Sequence, residues 1–102
     1  MSKKITKYRS GSIKVVKFNI GDNDYDKTTV FYKNGRVKQE KNYKNGELNG
    51  NLISYWDNGL VHTKGQYENN RRVGVWNTFN KRGKLVLSES HMSGRLVPSE
   101  EL

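Results

Sequence analysis

Thr29-Val30-Phe31-Tyr32-Lys33-Asn34-Gly35-Arg36-Val37-Lys38 is the stretch on which the fold turns. Asn-Gly between two runs of Val, Thr, Phe and Tyr is the strongest short-range signal for a β-hairpin. A type I′ turn needs positive φ at both central residues, and Asn and Gly tolerate it. The arrangement returns 24 residues later as Ile53-Ser54-Tyr55-Trp56-Asp57-Asn58-Gly59-Leu60-Val61, and in reduced form at Arg82-Gly83. Other positions keep the same interval: Phe31, Tyr55 and Phe79 stand four residues before each turn glycine, Gly50 is followed by Gly74, and Tyr43 by Tyr67 and then His91. A fixed period of this length means small supersecondary units that bury apolar surface only against their neighbours.

The period divides a single domain, 1–102, into units at about 5–28, 29–52, 53–76 and 77–100. The fourth carries His91 in place of tyrosine and Pro98 in place of the closing glycine. The first retains Gly11, Ile13 and Lys14. Worn end units suit a stack whose terminal faces meet water. The expected fold is therefore all-β: four stacked β-hairpin repeats of 24 residues forming one elongated twisted antiparallel sheet. Ile13, Val37, Val61 and Leu85 share one position, with Tyr43, Tyr67 and His91 six residues after the last three of them in turn. An even spacing places both sets on one face of a strand, which predicts that this face is the buried one. Leu52 and Trp76 precede Tyr55 and Phe79 by three, an odd spacing that calls for a bulge, a kink, or cover on both faces. The only helical expectation is a short turn from Pro98 to Leu102.

With 32% hydrophobic residues and a mean hydropathy of −0.97, there is little material for a deep core. The chain has no cysteine, which removes disulfides and thiolate metal sites. Basic residues open the chain without an apolar segment behind them, so no secretion signal is expected and a cytoplasmic location is. The longest apolar runs are triplets such as Leu85-Val86-Leu87, far short of the roughly 20 residues that span a bilayer.

Net charge is +9, and it is uneven: residues 1–28 hold seven basic and three acidic side chains, and residues 29–52 hold five and two. Lys3, Lys4, Lys7, Arg9, Lys14, Lys17, Arg36 and Lys38 are the candidates for contact with an anionic surface or nucleic acid, with Lys14, Lys38 and His62 in one column. Lysine also keeps an exposed sheet soluble and guards its edges, and that reading weighs more. Tyr32, Tyr55, Trp56, Trp76 and Phe79 are the candidate anchors for a protein partner wherever they are not spent on packing between repeats.

Catalytic patterns fail in turn. Asp22-Asn23-Asp24-Tyr25-Asp26 begins like a calcium loop, but Lys27 stands where glycine is needed and Lys33 where a bidentate glutamate is needed, so a polar turn is expected. His62 and His91 lack partners at ligand spacing. Ser88-Glu89-Ser90-His91 has no nucleophile-elbow pattern around it, and the glycines form no phosphate loop. No enzyme activity, metal or cofactor is expected.

The pattern Tyr-x-Asn-Gly-x-Val-x-x-x-x-x-Tyr-x-Asn-Gly-x-x-x-Gly, running from Tyr32 to Gly50 with echoes from Trp56 to Gly74, resembles the bacterial variant of the MORN repeat, similar units of which are carried by proteins of the YwqK antitoxin type. The resemblance covers about residues 29–97 well and 5–28 poorly. It implies a ladder of β-hairpins and a role in binding, dimerisation or scaffolding, while fold alone does not fix function. The expectation is a non-catalytic protein-binding or scaffolding module, an antitoxin-like or phage-borne inhibitor acting by occlusion among its forms. The alternative is a nucleic-acid or anionic-surface binder using the basic N-terminal units. Unpaired edge strands make a homodimer a further expectation.

Overall fold

The computed structural model describes residues 2–20, 24–92 and 95–97. The helical turn expected at Pro98–Leu102 lies outside these residues, as do Asp22 and Asn23 of the polar turn. Among the described residues nine strands are formed: β1 (Ser2–Lys7), β2 (Ile13–Ile20), β3 (Tyr25–Phe31), β4 (Val37–Lys44), β5 (Glu47–Tyr55), β6 (Val61–Glu68), β7 (Arg71–Phe79), β8 (Leu85–Met92) and β9 (Arg95–Val97). They pair in chain order into one open antiparallel sheet. This is the all-β hairpin ladder that the period predicted.

The molecule measures 49 × 37 × 16 Å with a radius of gyration of 15.3 Å, against about 13 Å for a compact chain of this length. Stacked sheets lie about 10 Å apart, so a 16 Å thickness holds a single layer with side chains on both sides. A layer without a lid cannot bury much. Among the described residues only Leu52 (8% exposed) and Trp76 (3%) form an apolar core, joined by Thr28 (7%). The three stand 24 residues apart, at one position of the repeat.

Two kinds of turn alternate, and they correct the expected turn type. At the repeated Asn-Gly sites only glycine has positive φ: Gly35 at 90°, Gly59 at 92° and Gly83 at 83°. The Gly35 N–H donates to the Tyr32 carbonyl at 3.0 Å and the Tyr32 N–H to Arg36 at 2.8 Å. This is a type I turn followed by a glycine bulge, not type I′. It explains why Arg82 can replace asparagine, since that position keeps ordinary φ. The two-residue turns lie at the opposite ends of the strands, at Asn45-Gly46 (φ 52° and 80°) and Asn69-Asn70 (φ 51° and 67°), where both residues are left-handed as type I′ requires.

The glycine bulge also decides the faces. Val30 pairs with Gln39 but Phe31 with Val37, leaving Lys38 as the extra residue; His62, Val86 and Lys14 are the extra residues at the equivalent sites. Each extra residue reverses the alternation. Tyr43 pairs with Asp26 and shares the face of Thr28, whereas Val37 pairs with Phe31 on the other face. The expectation that Val37 and Tyr43 share one buried face is therefore overturned. Leu52 and Tyr55 lie on opposite faces because β5 is regular between them, with Leu52, Ile53 and Ser54 opposite Gly65, Lys64 and Thr63. Both faces are partly covered. We call the side of Thr28, Leu52 and Trp76 the core face and the other the rear face.

Candidate functional site

Across the middle of the core face, strand pairing sets one row: Lys4, Lys17, Thr28, Lys41, Leu52, Gly65, then Trp76 and Glu89. At its C-terminal end the row is closed. The Trp76 indole covers Gly65, where a β-carbon would run into the ring, and its N–H donates to the Gln66 carbonyl at 3.1 Å. Tyr67 meets it edge-on at 5.1 Å, His91 lies at 6.4 Å, and the Arg72 guanidinium sits 4.2 Å from its centre. Trp76 is thus core, and the structure removes it from the set of candidate anchors: its ring is already enclosed by its own repeat and the next.

Tyr32 and Trp56 are also engaged. The Tyr32 hydroxyl donates to the Tyr55 carbonyl at 2.6 Å and the Trp56 indole N–H to the Phe79 carbonyl at 3.0 Å. Tyr8 makes the same bond to Phe31 at 2.8 Å. These bonds tie each bulged turn to the next, and asparagine amides repeat the tie from Asn34 to Asp57 and from Asn58 to Lys81. The bulge residues lie over these rings: Lys14 is 5.5 Å from the centre of Tyr8, Lys38 5.6 Å from Tyr32, and His62 4.2 Å from Trp56. The basic column read from the sequence is real. It rests on half-buried rings that serve inter-repeat packing.

On the rear face, Tyr55 and Phe79 remain available. They belong to an apolar row at the bulged-turn end, where the pairs are Phe31 with Val37, Tyr55 with Val61 and Phe79 with Leu85, and Ile13 opens the row beside Lys7. Ile13 is 40% exposed and Leu85 50%, while those between are half-buried. Beside it Ile53 and Phe79 line a cleft of about 560 Å³ with Lys64, Asn77 and Gln66. Partial burial, followed by the charge of Glu40, raises the Tyr55 pKa above the tyrosine value of 10.0.

The eight basic candidates do not form one surface. Lys4 and Lys17 share the core face, whereas Lys3 alternates with Lys4 onto the rear face. Arg36 reaches over the following turn, with its guanidinium 3.4 Å from the Asp57 carbonyl. Lys7, Arg9 and Lys14 join Lys33 around Tyr8 in a cleft of about 530 Å³. Lys27 and Glu40, 4.0 Å apart, are the one ion pair among the described residues. The sequence reading passed over Lys41 and Tyr43, which the core face brings beside Lys17 and Thr28 in a groove of about 550 Å³. Comparing the columns 17/41/65, 28/52/76 and 43/67/91 would have found them.

No group of three His, Asp or Glu side chains suited to a metal ion occurs among the described residues, and no helix there is long and apolar enough to cross a membrane. The chain matches no family model, no curated protein and no solved structure.

Proposed function

We propose that the protein is a non-catalytic binding module of the MORN-repeat type that holds a protein partner against its rear face. The observation that carries this reading is the apolar row from Ile13 through Val37, Tyr55, Val61 and Phe79 to Leu85, which no second layer covers. Contiguous exposed apolar surface on a soluble domain marks an interaction site, and aromatic residues concentrate binding energy where they can be desolvated. The hydrogen-bonded turns of the core face hold the sheet, so the row is presented on a rigid support, which lowers the ordering cost of binding.

The test is affinity capture with the wild-type chain and with Val61→Lys, a change of rear-face polarity in a residue that is not core. A protein retained by the wild type and lost from a folded Val61→Lys chain supports the reading. Equal retention by both, or retention abolished only by removing lysines, sinks it.

A further inference from the structure

The row that Trp76 closes in the C-terminal half is open in the N-terminal half. The repeat position of Trp76 is held there by Thr28, that of Gly65 by Lys17, that of Tyr67 by Asn19 and that of His91 by Tyr43. His91 has the indole beside it, ring centres 6.4 Å apart and at 72°. Tyr43 has instead the groove of about 550 Å³, floored by Thr28 and walled by Val15, Val30, Lys17 and Lys41. That volume falls in the range of small-ligand sites. The Lys17 and Lys41 backbones flank Thr28 directly in the ladder, and Lys4 pairs with Lys17 beyond them. Asp26 is the one carboxylate on the wall. It pairs with Tyr43 and accepts the Asn19 amide at 2.8 Å.

We propose that this groove is a nucleotide site. A planar base takes the place that the indole occupies in the other half, against the edge of Tyr43, and the phosphate is held by Lys17 and Lys41 with Lys4 adding to the field. The groove is polarised to match. Asp26 and Tyr43 stand together at one end, where a carboxylate can accept an exocyclic amine, and the lysines stand one step further along their strands, where a phosphate is attracted. A purely anionic ligand would meet Asp26 at the wall, whereas a base carrying a phosphate uses both ends. An aromatic ring beside cations in one groove is the combination used in sequence-tolerant nucleic-acid binding. The site is on the core face, so changes to Tyr55, Val61 or Phe79 leave it intact, and it stands or falls apart from the rear-face reading.

The full chain is titrated with adenosine monophosphate and with fluorescein-labelled single-stranded oligodeoxyadenylate, followed by Tyr43 ring resonances and by anisotropy. Binding of either probe is expected. The mononucleotide binding alone identifies a free nucleotide as the ligand, and strand binding a single-stranded nucleic acid. Tyr43→Leu is expected to weaken binding about tenfold, in line with loss of one base–aromatic contact. Lys41→Ala is expected to weaken it comparably and to flatten the strand's salt dependence by about 0.7 in the log–log slope. Thr28→Trp refills the groove and is expected to abolish binding, and Lys84→Ala, remote from it, to leave binding unchanged. A melting curve on each variant separates lost binding from lost fold, and Lys41→Ala, at a partly exposed surface position, keeps the test open where Thr28→Trp does not fold. The proposal is overturned where neither probe binds, where a folded Thr28→Trp chain binds fully, where Lys84→Ala costs as much as Lys41→Ala, or where inorganic tripolyphosphate displaces the mononucleotide as well as unlabelled mononucleotide does.

Discussion

The two halves of the core face share a ladder and a row, and they use the row in opposite ways. From Leu52 to Trp76 it is a plug: glycine at 65 makes room for an indole that is 3% exposed. From Lys4 to Lys41 the same row is lysine, lysine, threonine and lysine, and a groove remains. The difference shows where a single-layer sheet can put its stability. A layer 16 Å thick has no opposite sheet to bury against, so cover for the core face comes from large side chains lying across their neighbours. One half has such a side chain and the other lacks it, while bonds from turn to turn run through both.

Replacing Trp76 with alanine strikes the plug itself. Removal of a buried tryptophan costs about 3–5 kcal/mol, a large part of the stability of a small domain, and urea unfolding followed by circular dichroism measures it. Thr28→Ala at the equivalent position of the open half is expected to cost far less; equal losses would erase the contrast between the halves. Next in size is Gly65→Ala. Its β-carbon meets the Trp76 ring, and overpacking of this kind costs about 1–3 kcal/mol, whereas Lys41→Ala, on the same column, should leave the melting temperature nearly unchanged.

Tyr32→Phe tests the ties between turns. It removes the hydroxyl that donates to the Tyr55 carbonyl and should cost about 1 kcal/mol, with faster amide exchange concentrated in the turns at 32–36 and 56–60. No change would mean that the ties record the stacking without supporting it. The smallest effect concerns alkali. Tyr55 has a folded-state pKa above 10.0, through partial burial and then Glu40, so its contribution to stability is whole below pH 10.0 and declines as pH rises through the folded value. Tyr55→Phe should blunt that decline in unfolding measured across the alkaline range, and a decline of unchanged slope would assign it to other groups.

Much of the fold was legible from residues alone. The 24-residue interval, the strand-rich composition and the turn residues determined a hairpin ladder, and the unit boundaries at Thr28, Leu52 and Trp76 are its buried column. Tyr8 was also legible, standing one period before Tyr32 and making the same bond, although the first unit looked too worn to hold it.

Other features were decided only when the strands paired. Whether Asn34 takes positive φ depends on which carbonyl the Gly35 N–H reaches, and the resulting extra residue at Lys38 sends Val37 and Tyr43 to opposite faces. Gly65 and Trp76 are eleven residues apart in the chain and meet only through the β6–β7 ladder. Spacing along a chain determines which residues are equivalent. Which face they occupy and what covers them depend on hydrogen-bond register, a property of two strands together, and a single extra residue in one of them reverses it.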